Sequence, residues 1–340
     1  MKAGILQFFS WPERRVAIEI VYERALQRIE VMDGAGYDAV WLAEHHFHTF
    51  SVCPSIHMMG VHVAARTKRL RIGTAVSLAA LYHPLRLAEE VAFLDVLSGG
   101  RVNWGAGRGF DPTEFTAFGV PQAESAARFQ EAVDIVLHAW TDERLTYKGR
   151  YYEFEGLEVL PKPQQRPQPP VGLAASSPDA IRRAAAAGFT IMMDPHSSHH
   201  EIASKRALYQ RELEAAGHPT AGRQIPMARL LALAPTRAAA EETARRGAQW
   251  LVDSYTGPQH GALQGVVGFG VPAVETAARV DPIERYLDGV IVYGTPDAVV
   301  DEIARLREEL PLDYLLCAPL SHETFTLFTD RVLPRIATTS

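Results

Sequence analysis

Residues 70–107 read LRIGTAVSLAALYHPLRLAEEVAFLDVLSGGRVNWGAG, and they contain two short apolar runs on either side of an amphipathic segment. The runs at 70–78 and 101–107 have the length and the apolar content of buried strands. Between them lies a segment with helical spacing, with Pro84 near its start and two glycines at its end. The stretch therefore predicts a strand–helix–strand unit, which is typical of α/β proteins with a parallel sheet.

The same alternation extends along the chain in both directions. Each predicted strand is followed by a predicted helix. The short apolar run IVY at 291–293 is not counted as a strand. The eight predicted strands span 3–9, 38–43, 70–78, 101–107, 170–175, 189–194, 225–234 and 313–320. This count predicts an α/β fold of the (β/α)8 TIM-barrel type, as a single domain over residues 1–340. A doubly wound open sheet is the structural alternative, but it would not need eight units.

Two segments interrupt this alternation of strands and helices. The run LTYKGRYYEFEGLEV alternates apolar and polar residues around Lys148 and Gly149, which predicts a β-hairpin, and the Pro-rich PKPQQRPQPP follows it. We place this insertion at about 141–170, after the fourth strand. Residues 257–283 are rich in Gly, Pro and small residues, which predicts a long mobile loop after the helix of the seventh strand.

Composition and charge limit the classes of function. The formal net charge is −6, which argues against nucleic-acid binding because phosphate contacts need a basic face. Two cysteines, Cys53 and Cys317, are too few for a disulfide framework, and we expect buried free thiols. No apolar run reaches membrane-spanning length and the N-terminus lacks a signal peptide, so we expect a soluble cytoplasmic protein.

The stretch WLAEHHFHTF (41–50) lies at the exit of the second predicted strand, where barrel enzymes carry their active sites. Its His46-Phe47-His48 could bind a metal together with Glu44, since imidazoles two residues apart on an extended chain point to the same side. A metal site also needs ligands from other strand exits, and these offer small residues, Arg108 and only two further histidines. We therefore predict no metal site and keep a metal-dependent hydrolase as an alternative.

Two neighbouring strand exits predict a phosphate-bearing ligand. The exit of the fifth strand has Ser176 or Ser177 as N-cap and Pro178 at the first helical position, so a helix N-terminus faces the predicted mouth. The exit of the fourth strand has Arg108 between two glycines, where the backbone can approach a ligand and a guanidinium can pair with a phosphate. Each signal is weak alone; jointly they predict a phosphate beside these two strands.

On these residues the chain resembles the bacterial luciferase-like flavin monooxygenases, and in layout the luciferase alpha subunit. The resemblance implies a TIM barrel that binds FMN, as reduced FMN supplied by a separate flavin reductase, and that forms a dimer, here expected to be a homodimer. The matching stretches occur in order over nearly the whole chain: WLAEHHFHTF, LRIGTAVSL, YHPLRLAEEVAFLDVLSGGRVNWGAGRGF, the AAS of the fifth strand, WLVDSY and YGTPDAVVDEI.

The resemblance also implies roles for particular residues. His45 matches the catalytic histidine near the flavin ring, with Glu44 as its possible orienting partner. Ala75-Val76 falls where the family has a non-prolyl cis peptide packed on the flavin, and residues 257–283 match a mobile lid. The implied phosphate corner of the cofactor site comprises Arg108, Gly109, Ala175 and Ser176. Gly107 stands where luciferases carry a reactive cysteine and Ala175 replaces a glutamate, so light emission and aldehyde as substrate are not implied.

The expected function is therefore a non-luminescent flavin-dependent monooxygenase that uses reduced FMN and oxygen. Its substrate would be a small apolar organic molecule, in a pocket lined by the apolar residues Phe8, Trp11, Phe110, Met192 and Met193. A flavin- or deazaflavin-dependent dehydrogenase on the same barrel is the alternative, and a non-catalytic flavin-binding subunit is another. For His46 and His48 a functional role and an ordinary loop role stay open, whereas the pattern around His57 favours a structural role.

Overall fold

The computed structural model describes residues 1–256 and 281–337. Strands and helices alternate along most of this length, as the pattern of apolar runs predicts. The strands are β1 (Lys2–Gln7), β2 (Ala39–Leu42), β3 (Arg71–Thr74), β4 (Ser77–Leu78), β5 (Val102–Gly107), β6 (Leu145–Lys148), β7 (Glu153–Leu157), β8 (Val171–Ala174), β9 (Thr190–Met192), β10 (Pro226–Leu233), β11 (Ile291–Gly294) and β12 (Tyr314–Pro319). The helices are α1 (Ile18–Ala35), α2 (Ile56–Arg66), α3 (Pro84–Leu97), α4 (Pro112–Ala117), α5 (Ser125–Thr141), α6 (Pro178–Ala186), α7 (His199–Ala215), α8 (Arg237–Thr256), α9 (Pro282–Gly289), α10 (Pro296–Glu309), α11 (His322–Leu327) and α12 (Leu333–Ile336).

The chain divides into two compact units, one of Gln7–Gly34 and Ala39–Ala174, the other of Met1–Leu6, Ala35–Asp38 and Ala175–Ser340. In the first unit β2, β3, β5 and β8 pair in that order, all parallel, and β4 pairs with β5. Every residue of β2 and β5 is buried. Because parallel neighbours end at the same edge, the segments that follow β2, β3 and β5 lie side by side.

In the second unit β12 lies between β1 and β10, and β11 pairs with β10 on its other side, all parallel. Met193, directly after β9, forms a parallel bridge with Met227 of β10. The strand β11 corrects the sequence prediction, which did not count IVY (291–293). Its apolar run is short and stands next to Thr295, the N-cap of α10, so the pattern could not separate a strand from the approach to a helix.

In helix α1 the residues Ile18, Val21, Ala25, Ile29 and Met32 stand at spacings of three and four, which predicts one apolar face. Val21, Ala25, Ile29 and Met32 are buried, whereas Ile18 at the first position is 37% exposed. A first-turn residue lies at the end of the helix, where the neighbouring elements no longer cover it. The apolar stripe therefore predicts the packed face correctly, but it begins one turn before the first buried residue.

The two interrupting segments differ in what the structure describes of them. Strands β6 and β7 form an antiparallel pair in which Lys148, the last residue of β6, pairs with Glu153, so a hairpin lies in the segment where the alternating pattern predicts one. Of the predicted mobile loop at 257–283, residues 257–280 lie outside the described part, and Asp281 is the N-cap of α9. Within the described ranges no helix has both the length and the apolar character needed to cross a membrane.

Candidate active site

Three neighbouring strand exits of the first unit bring most of the predicted site residues together. Glu44 and His45 follow β2, the Ala75-Val76 pair follows β3, and Arg108 follows β5. The Ala75-Val76 peptide bond is cis, as the resemblance implies. The amide of Ala75 donates to the carbonyl of Leu42 at 2.8 Å, which joins the first two exits directly.

The His45 imidazole is largely enclosed by aromatic rings. Its side chain is 13% exposed. It stacks on Phe8 with ring centroids 6.4 Å apart and meets Phe50 and Phe110 edge-on at 5.2 and 6.0 Å. Its Nδ1 atom lies 3.7 Å from Oε1 of Glu114, a buried carboxylate. The His45 imidazole therefore lies beside the Glu114 carboxylate and against an apolar wall that limits access of water.

Glu44 does not orient His45 in this structure, which corrects the pairing expected from the sequence. Its buried carboxylate accepts hydrogen bonds from the Tyr82 hydroxyl at 2.9 Å and the Leu78 amide at 3.4 Å, and lies 3.1 Å from Nε2 of His46. Side chains of successive residues diverge in extended backbone, so the residue two positions on shares the side of Glu44. Three polar partners thus compensate the cost of burying the Glu44 carboxylate.

The carboxylate beside His45 is Glu114, which lies in the polar segment after β5 and is not among the residues predicted from the strand exits. The structure forms α4 there, with Asp111 as N-cap, Pro112 at the first position and Glu114 at the third. Asp-Pro-x-Glu is a helix-start signal, so the element could have been predicted. Glu114 accepts from the His46 amide at 3.0 Å, which fixes its carboxylate at the end of β2.

His46 and His48 do not share a ligand position. The backbone of Phe47 has a φ of +64°, so the chain is not extended there and the two imidazoles turn to different carboxylates. Nε2 of His48 lies 2.7 Å from Oδ2 of Asp111. Burial alone would raise the pKa of Asp111, but hydrogen bonds with His48 and Thr113 outweigh it and hold that pKa below its ordinary value. Among the described residues, no three His, Cys, Asp or Glu side chains are grouped to hold a metal ion.

Arg108 and Gly109 have the properties that an anion site requires. The Arg108 side chain is exposed and forms no ion pair with any described residue. Gly109 has a φ of +81°, a conformation that glycine adopts without strain. A guanidinium in this state can pair with a phosphate through two hydrogen bonds.

The other predicted phosphate residues belong to the second unit. Ser177 is the N-cap of α6 and accepts from the Ala180 amide at 3.3 Å, so of the two serines it is the cap. Ser176 precedes the cap and is partly exposed, whereas Ala175 is buried.

Both cysteines are free and buried, as the sequence predicts. Burial raises the pKa of Cys53 to about 12, with the charge of Glu44 adding to the effect. A thiol in that state is protonated at neutral pH and is a poor nucleophile. Cys53 therefore packs beside the site without contributing a reactive thiolate.

Gly107, the last residue of β5, leaves no room for a side chain. A Cβ atom there would lie 2.3 Å from Cγ2 of Val76. We expect Gly107→Ala to lower the free energy of unfolding by about 1–3 kcal/mol, the usual cost of overpacking. Urea denaturation measures this, with Gly34→Ala as the control because a Cβ at Gly34 meets nothing within 4 Å. Equal losses in the two variants would contradict the assigned contact.

A family model described as luciferase-like monooxygenase matches residues 1–313. One curated relative, a Sinorhizobium fredii protein of uncharacterised function, is 39% identical over 170 residues, which are 50% of each chain. The oxygenase component of a flavin-dependent trigonelline monooxygenase from Acinetobacter baylyi is 28% identical over 177 residues, 52% of this chain and 49% of that protein. The chain thus spans about half the length of these curated relatives.

Solved structures match over nearly the whole chain. The monooxygenase RslO1 from Streptomyces bottropensis is 28% identical, with a TM-score of 0.82 over 99% of this chain and all of that one. The oxygenating constituent of a diketocamphane monooxygenase from Pseudomonas putida, in complex with FMN, has a TM-score of 0.79 at 19% identity, over 100% of this chain and 99% of that one. An F420-dependent secondary alcohol dehydrogenase has a TM-score of 0.75 at 19% identity, over 99% of both chains. The last two are similar in fold.

Proposed function

The chain belongs to the luciferase-like monooxygenase family, and on this premise we propose that it uses reduced FMN and oxygen to oxidise a small apolar organic substrate without emitting light. The observation that carries the proposal is the His45 imidazole at the exit of β2, enclosed by three aromatic rings and next to the Ala75-Val76 segment. An imidazole is the side chain best suited to proton transfer near neutral pH.

We propose a fold of the (β/α)8 barrel type, as one domain. The parallel strands of each unit, with helices between them, support this architecture. The similarity in fold to RslO1 over the full length of both chains supports it further.

The residues present fit an FMN cofactor, which would supply the redox chemistry when bound. In this proposal Arg108 pairs with the phosphate, the backbone at Gly109 allows its close approach, and Ala75-Val76 packs against the ring system. Ala175 and Ser176 are assigned to the phosphate from the resemblance alone. His45 holds or gives up a proton at Nε2, the ring nitrogen that is turned away from Glu114.

We propose an apolar substrate because the walls around His45 are aromatic. Phe8 and Phe110 both contact its ring and leave few polar groups to recognise a charged molecule. Trp11, in the same unit, is a further proposed lining residue. The relative from Acinetobacter baylyi is an oxygenase component, which supports a separate flavin reductase as partner.

A flavin- or deazaflavin-dependent dehydrogenase is the second candidate function, because the fold of an F420-dependent alcohol dehydrogenase is also similar. Oxygen consumption distinguishes the two. With chemically reduced FMN and a panel of aldehydes, ketones and thioethers, we expect substrate-dependent oxygen uptake that yields oxygenated product. Turnover of an alcohol with oxidised deazaflavin under anaerobic conditions, and no oxygenated product in air, would overturn the monooxygenase proposal.

We also propose that the protein is a homodimer, because α3 exposes apolar side chains on one face. Phe93, Val96 and Leu97 are 52%, 41% and 49% exposed, at spacings of three and four residues. We expect wild-type protein to have twice the monomer mass by light scattering, and the double variant Phe93→Asp/Leu97→Asp to be a monomer. Leu157→Asp, on the exposed strand β7, serves as the control and should stay dimeric. A monomeric wild-type protein would contradict this proposal.

A further inference from the structure

We infer that His57 is a positioning residue for the flavin site and acts through Ser77. This inference rests on the function proposed above. His57 lies on α2 and is 3% exposed, and Ser77 is completely buried. Nε2 of His57 lies 3.0 Å from the Ser77 hydroxyl, and its Nδ1 lies 3.0 Å from a carboxylate oxygen of Glu90 on α3. A helix histidine is thus held between a carboxylate and the segment that follows β3.

The carboxylate partner of His57 fixes the direction of the hydrogen bond at Nδ1. An ionised carboxylate can only accept, so Nδ1 carries the proton and donates to Glu90. This hydrogen bond is the largest cause that holds the pKa of Glu90 below its ordinary value, against burial and with help from Arg86. The other ring nitrogen, Nε2, forms the hydrogen bond with the Ser77 hydroxyl. The Ser77 side chain is therefore held in one rotamer by His57, and His57 is itself held by the charged carboxylate of Glu90.

Ser77 follows the Ala75-Val76 pair directly, so its position sets that of the segment. The neighbouring amide of Leu78 donates to Glu44 at 3.4 Å, and the amide of Ala79 donates to the Gly107 carbonyl at 2.9 Å. The segment is thus attached to α2 through Ser77, to the β2 exit through Leu78, and to β5 through Ala79. Loss of the Ser77 attachment removes the side-chain hydrogen bond of the residue that follows Val76.

Tyr82 joins this network to the one around Glu44. Its ring packs edge-on against His57 with centroids 5.5 Å apart, and its hydroxyl donates to Glu44 at 2.9 Å. Burial and the charge of Glu44 raise the pKa of Tyr82, so the phenol stays a donor. A displacement of His57 would therefore shift His46 through Tyr82 and Glu44. It would also shift Val76 through Ser77.

The positioning role of His57 is tested by measuring FMN affinity by fluorescence titration and the visible circular dichroism of bound FMN. We expect His57→Leu and Ser77→Ala each to raise the Kd for FMN about tenfold, and the double variant to match the single variants, because all three remove the same hydrogen bond. His57→Gln, whose amide can still reach Ser77, should recover part of the affinity. His62→Leu, at an exposed position on the same helix, should bind FMN as the wild type does.

Two different results would overturn the inference, and they are distinguishable. If the wild type binds FMN and Ser77→Ala binds it with unchanged Kd and dichroism, the positioning role is wrong and the proposed function stands. If the wild type binds neither FMN nor deazaflavin, the proposed function fails and the inference fails with it. Ser77→Ala removes a single oxygen atom, so it keeps the test decisive even if His57→Leu does not fold.

Discussion

Replacing His45 with alanine is expected to lower product formation by about 10²–10⁴-fold, the usual contribution of general acid–base catalysis, while the Kd for FMN stays close to that of the wild type. The expectation follows from the enclosure of the imidazole. Phe8, Phe50 and Phe110 surround His45, and the carboxylate of Glu114 lies 3.7 Å from Nδ1.

The measurement should record oxygen uptake and oxygenated product separately, with reduced FMN supplied at saturating concentration. We expect the His45→Ala variant to keep consuming oxygen while product falls, because loss of the proton-transfer group uncouples the two. His48→Ala is the matched control, since that imidazole pairs with Asp111, the N-cap of α4, instead. Unchanged product formation in His45→Ala would favour a different acid or base, or a non-catalytic flavin-binding subunit.

The strands and helices could be predicted from the sequence because short apolar runs and amphipathic segments have different periods. The run at 70–78 gave β3 and β4 at their correct place, and Pro84 stands at the observed start of α3. The strand β11 was missed because its apolar run is too short to show a period. Parallel pairing of β2, β3 and β5 then explains why Glu44, Val76 and Arg108 follow neighbouring strands, as predicted.

The partners of the site residues were less predictable, because a hydrogen bond depends on side-chain direction at short range. Glu44 is adjacent to His45 in sequence, yet it contacts His46, since neighbouring side chains point apart. Glu114 lies on α4, almost 70 residues further along the chain than His45. In the sequence, only the helix-start signal at Asp111 indicates the element that carries it. His57 was assigned a structural role because nothing in the sequence relates it to Ser77 or Glu90.

Replacing Arg108 with methionine is expected to raise the Kd for FMN by about 10–100-fold, which corresponds to the roughly 1.5–3 kcal/mol of hydrogen bonds to a charged group. Methionine keeps much of the aliphatic stem, so the change removes mainly the charge and the donors. Arg108 forms no ion pair with the described residues, and its loss therefore leaves no carboxylate of this part of the chain unpaired. The variant should consequently fold with a melting temperature close to that of the wild type.

Riboflavin, which lacks the phosphate, provides the control that separates phosphate binding from any other effect of Arg108. If the guanidinium pairs with the phosphate, Arg108→Met should bind riboflavin as tightly as the wild type does, and the wild-type preference for FMN over riboflavin should disappear. The preference should also weaken as salt is added, because an exposed charge pair is screened. An equal loss of affinity for FMN and riboflavin would instead assign Arg108 to the ring system or to folding. That result would remove the main reason for assigning a phosphate to the β5 exit.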